Sequence, residues 1–160
     1  MLVTMQEEFH STERYLECMK LRFSDELHYT MDIGPGCEDL RIPKLILQPL
    51  VENAFKYAFN TTPPWKLHIF SEVRNGKWSI TVEDNGGQLS FEKRQELLGA
   101  FRSLDTKEEL KSMKIGGMGL KNVYLRLKLL YNEEAVFEID SSVPHHTSFT
   151  LGGPAEKEEC

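Results

Sequence analysis

The chain has 160 residues, of which 40% are hydrophobic and 28% are charged, and its formal net charge is -6. This length suits one domain with a buried core, and the composition excludes an intrinsically disordered chain. The acidic balance argues against nucleic acid or an anionic membrane surface as the main partner, because both reward a basic face.

The three cysteines, Cys18, Cys37 and Cys160, form no CxxC pair. This pattern argues against a zinc site or a disulfide framework and favours a reducing compartment. No apolar run approaches membrane-spanning length, and the first residues lack a signal-peptide pattern. We therefore expect the chain as given to be soluble and cytoplasmic.

The first part of the chain predicts a helix, a strand and a second helix. Residues 5–23 contain no Pro or Gly and carry apolar residues at helical spacing, which predicts an amphipathic helix. Apolar and polar residues then alternate from Leu27 to Ile33, as in a half-buried strand, before the breaker Gly34-Pro35-Gly36. A strong apolar stripe from Leu45 to Phe59 predicts the second helix.

The rest of the chain predicts strand pairs with two further helices. Asn75-Gly76 is a type I′ hairpin signal between two alternating segments. The predicted elements are strands at 65–73 and 77–83, helices at 91–101 and 120–131, and strands at 135–140 and 147–151. Strand pairs outnumber βαβ units, so we expect an α/β (α+β) fold. Its form would be a two-layer sandwich with a mixed, mainly antiparallel sheet and helices on one face.

Three polar side chains share one face of the predicted helix 45–59. Asn53, Lys56 and Tyr57 stand at positions i, i+3 and i+4, one turn apart. This arrangement is unusual on a mostly apolar helix, but taken alone it is more often a solvated helix edge.

A carboxylate beside flexible backbone ends the predicted strand 77–83. The sequence there is Asp84-Asn85-Gly86-Gly87. Asp84 would accept a hydrogen bond from an exocyclic amine such as adenine N6, and the glycines would let a flat base approach. Asp, Asn and Gly are also the usual turn residues, so the motif taken alone fits a strand-ending turn better.

A glycine run from Gly116 to Gly119 leads directly into the predicted helix 120–131. Free backbone N–H groups at a helix N-terminus suit a phosphate group. No Lys-Ser/Thr follows the glycines and no strand precedes them, so the run is neither a P-loop nor a Rossmann fingerprint. A mobile loop would have a similar composition. Thr147, which opens the last predicted strand, is ordinary for β propensity alone.

Together these segments resemble a known family. The sequence LQPLVENA at 47–54 is close to the asparagine box of LytS/YesM-type bacterial sensor histidine kinases. Asp84-Asn85-Gly86 resembles the family's DNGxG box, and Gly117 to Asn122 resembles its GxGLxN box. The motifs occur in family order, and the resemblance runs from about Thr4 to Leu151. The chain is thus identified as the ATP-binding catalytic domain of such a kinase, with the Bergerat fold of the gyrase, Hsp90, histidine kinase and MutL superfamily.

The resemblance implies ATP and Mg²⁺ as ligands and a role for each motif. Asn53 would coordinate Mg²⁺, Lys56 would pair with phosphate, and both would be catalytic. Asp84 would recognise adenine with support from Thr147. The full set of residues implied to bind the nucleotide is Asn53, Lys56, Tyr57, Asp84, Gly86, Gly87, Gly117, Gly119, Leu120 and Thr147. Residues 102–116 would form a lid over it.

The sequence departs from the family pattern at two places near the base. Gly87 and Gln88 follow Gly86, so the final glycine of the first box is displaced by one position. His146 stands where a glycine usually precedes the strand threonine, and we expect it to crowd the base end of the pocket.

The resemblance also implies a larger protein around this chain. No NPHFLFN-like phosphoacceptor motif is present, so the fragment would bind Mg-ATP but pass the phosphate to a histidine elsewhere. Residues 1–23 would be the tail of the dimerisation and phosphoacceptor region, 24–152 the ATP-binding domain and 153–160 a polar tail. The partners would be that upstream domain and a response regulator receiver domain. The full-length protein would be a membrane-anchored homodimer with this domain on the cytoplasmic side.

Three alternatives remain open on the sequence. An ATP hydrolase of the gyrase, Hsp90 or MutL kind would carry a glutamate one turn before Asn53, where this chain has Pro49. Glu52 would point about 100° away from Asn53 on the helix. An anti-sigma serine kinase shares the fold but matches the motifs less well. A degenerate interaction module that has lost ATP would explain the irregular glycine box and His146.

Overall fold

The computed structural model describes residues 2–58, 61–86, 91–102 and 119–155. In chain order the helices and strands are β1 (Leu2–Thr4), α1 (Met5–Phe23), β2 (Leu27–Asp32), β3 (Arg41–Pro43), α2 (Leu47–Ala58), β4 (Trp65–Arg74), β5 (Lys77–Asp84), α3 (Phe91–Arg102), α4 (Gly119–Tyr131), β6 (Val136–Val143) and β7 (His146–Pro154).

Five of these strands form one sheet, in the order β2-β4-β5-β7-β6. Only the β2–β4 pair is parallel, because α2 crosses over between these two strands, and the other pairs are antiparallel. The hairpin between β4 and β5 turns at Asn75 and Gly76, which have φ of 53° and 72°. Positive φ at both positions is the signature of the predicted type I′ turn.

The hydrophobic core lies between one face of this sheet and the helices α1, α2 and α4. Alternate residues of β5 are buried, and those of β4 and β7 follow the same alternation. They pack against the apolar stripes of the helices in one cluster. The fully buried side chains include Leu16, Leu50, Ile69, Trp78, Ile80 and Leu127. The predicted fold class, a two-layer sandwich with a mixed and mainly antiparallel sheet, is confirmed.

The N-terminal segment is packed into this same core. Thr4 caps α1 with a capping box, in which its hydroxyl accepts from the Glu7 N–H while its own N–H donates to the Glu7 carboxylate. Met5, Phe9 and Leu16 of α1 are buried among residues of the later elements. β1 pairs with β3 in a separate two-stranded sheet. These two strands were not predicted, because three residues are too short to show alternation.

The sheet also extends beyond the predicted domain end at residue 152. Gly153 and Pro154 pair with Trp78 and Lys77 in the β5–β7 ladder, so the expected tail at 153–160 begins too early. A Cβ added at Gly153 would lie 2.5 Å from the Tyr131 ring, which packs directly against this backbone. This close approach explains why residue 153 is a glycine. The composition of the segment had suggested a flexible chain end instead.

Candidate active site

The polar residues of α2 and the start of α4 border one cavity of about 350 Å³. It is lined by Pro49, Glu52, Asn53, Lys56, Gly119, Leu120 and Lys121. The two helices form its walls, and they meet where a Cβ added at Gly119 would lie 3.6 Å from the Pro49 Cβ. Four of the predicted binding residues, Asn53, Lys56, Gly119 and Leu120, thus come together although more than sixty positions separate the two motifs.

Asn53 presents an unsatisfied polar group to this region. Its Nδ2 atom is buried, and among the described residues no hydrogen-bond partner lies within reach. Such a group is costly unless a ligand or solvent satisfies it. An amide nitrogen would donate to a phosphate oxygen, and the same carboxamide turned over would present the hard oxygen that Mg²⁺ prefers.

The cavity combines this amide with positive charge. Lys56 is exposed, and Lys121 lies across from it on α4. Gly119 begins α4, so the positive end of that helix also faces the cavity. Glu52 adds one carboxylate to the lining, but two ammonium groups, a helix N-terminus and a carboxamide outweigh that single negative charge and favour an anionic ligand such as a polyphosphate.

Sequence inspection missed three of the lining residues. Lys121 belongs to the glycine motif but had no assigned role. Pro49 was considered only because it stands where an ATP hydrolase would carry a glutamate. Glu52 borders the cavity although we expected it to point away from Asn53. It accepts a 3.0 Å hydrogen bond from Gln48 Nε2, which holds it along the helix. Long side chains reach across a helix surface, and the 100° rotation between neighbours does not exclude this.

Asp84 ends β5 as a buried carboxylate. It is 6% exposed, and its Oδ1 accepts a 2.9 Å hydrogen bond from the Gly86 N–H. Burial raises the pKa of Asp84 to about 6, while this hydrogen bond and the positive charge of protonated His146 oppose the rise. A buried carboxylate at a strand end is a strong hydrogen-bond acceptor at neutral pH.

Thr147 lies directly opposite Asp84 in the β5–β7 register. It is also buried, and its Oγ1 has no hydrogen-bond partner among the described residues. The threonine hydroxyl and the aspartate therefore stand side by side on the core face of the sheet. Neither residue borders the cavity between α2 and α4 that holds Asn53.

His146 does not crowd this pair, contrary to our expectation. Its Nε2 lies 3.7 Å from Glu83 Oε2, and the adjacent residue Thr147 is buried on the core face. Successive strand residues point to opposite faces, so His146 belongs to the face of the sheet that carries His68 and Glu83. The substitution of glycine by histidine is thus accommodated on the far side of the sheet.

The remaining predicted residues fall partly outside the described ranges. Gly86 is placed as the donor to Asp84, whereas Gly87, Gly117, residues 103–116 of the expected lid and the side chain of Tyr57 lie outside them. Among the described residues no cluster of His, Cys, Asp or Glu could hold a metal ion.

A sheet covered by helices on one face, with a polar cavity between α2 and α4, defines a class of ATP-binding domain. Residues 38–157 match the family described as histidine kinase-, DNA gyrase B- and HSP90-like ATPase, and the chain belongs to this family. A catalytic domain of the histidine kinase ThkA shares the fold, with a TM-score of 0.69 at 16% identity over 99% of this chain and 98% of that one.

Among curated proteins the chain is similar to sensor kinases. It is 32% identical to the sensor histidine kinase YesM of Bacillus subtilis (strain 168) over 158 residues, or 98% of this chain and 25% of that protein. It is 30% identical to the sensor protein LytS of Bacillus anthracis over 154 residues, 94% of this chain and 24% of that protein. The predicted family is confirmed, and the chain spans about a quarter of the length of these relatives. None of the helices in the described ranges is long and apolar enough to cross a membrane.

Proposed function

We propose that this domain binds Mg-ATP and donates the γ-phosphate to a histidine of a longer sensor kinase. The observation that carries the proposal is the cavity in which Asn53 and Lys56 of α2 face Lys121 and the N-terminus of α4. These groups are chemically suited to a triphosphate and its metal ion.

Each motif has a distinct task in this proposal. Mg²⁺ supplies charge neutralisation for the phosphates when it is bound. The Asn53 carboxamide would hold this ion, and Lys56 would pair with a phosphate oxygen. Asp84 would accept a hydrogen bond from the adenine amine, with Thr147 beside it. The backbone from Gly117 to Leu120 would enclose the phosphates, and Gly86, Gly87 and Tyr57 would border the base and ribose. Phosphoryl transfer depends mainly on such positioning and electrostatic stabilisation.

The phosphate acceptor would lie elsewhere in the longer protein. None of the five histidines stands in a phosphoacceptor-like motif. We infer that an upstream dimerisation domain provides the histidine and that a response regulator receives the phosphate from it. Residues 1–23 would connect that domain to the rest of this chain, and membrane segments would precede it. The similarity to sensor kinases over a quarter of their length supports this arrangement.

ATP hydrolysis is a weaker candidate on this geometry. Pro49 borders the cavity one turn before Asn53, where a hydrolase would need a carboxylate to activate water. The degenerate module loses one of its two arguments, because His146 faces away from Asp84 and Thr147.

The proposal is tested by calorimetric titration with ATP, with Mg²⁺ and with chelator. We expect the wild type to bind more tightly with Mg²⁺ and Asn53→Ala to lose most of that metal-dependent gain. Gln6→Ala is the control, since this exposed carboxamide of α1 does not border the cavity. Equal affinity with and without Mg²⁺ in the wild type would contradict the role of Asn53.

Transfer is tested separately with ATP labelled at the γ-phosphate. The chain alone should take up no label on histidine, and a histidine-containing upstream segment of the longer kinase should take it up in its presence. Acid-labile, base-stable label on this chain alone would contradict the division of labour proposed here.

A further inference from the structure

The segment 44–47, just before and at the start of α2, is held from two sides by charged side chains. Glu8 of α1 binds its backbone N–H groups, and Arg126 of α4 binds its backbone carbonyls. Neither residue belongs to the nucleotide motifs, and neither borders the cavity between α2 and α4.

Glu8 acts as an N-terminal cap that comes from another helix. The residue is 3% exposed, and its carboxylate accepts hydrogen bonds from Leu45 N at 2.8 Å and from Ile46 N and Leu47 N at 3.0 Å each. Leu47 begins α2, so its N–H is one that the helix cannot satisfy itself, and Leu45 and Ile46 lie directly before it, next to the positive end of the helix dipole. The described first turn of α2 contains no acidic residue of its own to take this role.

Arg126 binds the backbone carbonyl groups of the same segment. Its Nη1 donates to Leu45 O at 3.3 Å, and its Nη2 donates to Lys44 O. Leu45 has a φ of 59°, a left-handed conformation that is unfavourable for a leucine. A strained residue persists only where its surroundings fix it, and here the N–H is fixed from α1 and the carbonyl from α4.

We propose that Glu8 and Arg126 are positioning residues for the nucleotide site. The inference rests on the proposed function, because the walls that they fix are the walls of the proposed Mg-ATP cavity. Arg126 is on the helix that begins with Gly119 and Leu120, and the segment that it binds leads into the helix of Asn53 and Lys56. Glu8 and Arg126 therefore act as a clamp that fixes the orientation of α2 relative to α4. Through Glu8, α1 also contributes to this orientation.

The clamp should affect the proposed metal-binding half of the site more than the adenine-binding half. Asn53 follows the clamped segment by less than two helical turns, whereas Asp84 and Thr147 are fixed by the sheet register. Loosening the clamp would displace the Asn53 amide relative to the phosphates and leave the adenine-binding pair in place. The Mg²⁺-dependent part of the affinity is therefore the sensitive quantity.

The test measures ATP affinity with Mg²⁺ and with chelator for the wild type and Glu8→Gln. The glutamine presents one acceptor and an NH₂ group to N–H donors, so it cannot satisfy all three. We expect the Mg²⁺-dependent gain in affinity to fall roughly 3- to 30-fold, the range typical of mutations that alter coupling at a distance. Leu16→Val, a core change on the same helix, should lower the melting temperature and leave that gain unchanged.

Arg126 provides the second variant if Glu8→Gln does not fold. Arg126→Gln should reduce the Mg²⁺-dependent gain in the same way, and Arg126→Lys should restore part of it by donating to one carbonyl. An unchanged gain in the folded variants would overturn the clamp while leaving nucleotide binding intact. Absence of ATP binding by the wild type would overturn the proposed function, and the clamp with it.

Discussion

Asp84 and Thr147 face each other across the antiparallel strands β5 and β7, both buried on the core side of the sheet. The carboxylate has one described donor, the Gly86 N–H, and the hydroxyl has no described partner. Sheet register fixes these two buried polar groups beside each other, and we propose that they form a rigid recognition element. They would meet the edge of an adenine without rearrangement.

Replacing Thr147 separates its binding role from its structural one. In Thr147→Val a methyl group takes the place of a buried hydroxyl that has no described partner. We expect the melting temperature of the free protein to stay the same or rise, since no described hydrogen bond is lost. ATP affinity should fall by about 1 kcal/mol, the usual worth of one hydrogen bond.

The control for this variant is Thr81→Val, on the opposite face of the same sheet. Thr81 Oγ1 lies 3.0 Å from Thr150 Oγ1, so its removal breaks a described hydrogen bond. This change should lower stability and leave ATP affinity unaltered. If Thr147→Val binds ATP as tightly as the wild type, the hydroxyl has no part in recognition.

The raised pKa of Asp84 predicts how stability depends on pH. Its value is about 6 in the folded protein against an ordinary 3.8, so the folded state holds the proton more tightly than the unfolded state. The contribution of this group to the free energy of unfolding is fully present below about pH 4 and is lost as the pH rises through about 6. The total change corresponds to about 3 kcal/mol.

Chemical denaturation of the free protein and of Asp84→Asn at several pH values measures this contribution. The wild type should gain stability relative to the variant as the pH falls from neutral towards 4. A difference between the two proteins that does not change with pH would show that burial does not perturb this carboxylate.

The N-terminal helix should be necessary for folding. Deleting residues 1–23 removes the buried side chains of Met5, Phe9 and Leu16 and the cap that Glu8 provides. At about 2 kcal/mol for each buried apolar side chain, the loss approaches the whole stability of a domain of this size. We expect residues 24–160 alone to give no cooperative unfolding transition by circular dichroism.

Leu21→Ser is the matched control on the same helix, because Leu21 is 87% exposed and should tolerate the change. A truncated chain that unfolds cooperatively and binds ATP would place the domain boundary at residue 24, as we expected from the sequence. It would also mean that α1 contributes little to the core.

The periodic elements were predictable because their patterns are local. The helix at 5–23 and the Asn75-Gly76 turn follow from residue spacing and turn chemistry alone. Glu8 could not be recognised in this way, because it resembles any other acidic residue of a helix surface. Its burial depends on backbone N–H groups 37 to 39 residues away.

Only those residues of the site that belong to a recognisable sequence motif could be predicted. Asn53 and Asp84 were found through family resemblance, whereas Lys121 and Glu52 gained a place only when α2 and α4 came together. The sequence could not predict which face of the sheet carries the His146 side chain. This face follows from the register that pairs Thr147 with Asp84.

We propose that this chain holds Mg-ATP through Asp84 at the base and Asn53 at the phosphates. The most direct test is a thermal shift with Mg-ATP on the wild type and on Asp84→Asn. A ligand that binds only the folded state raises the melting temperature. We expect a clear rise for the wild type and its loss in Asp84→Asn. An unchanged melting temperature for the wild type at millimolar Mg-ATP would contradict the binding of Mg-ATP by this chain.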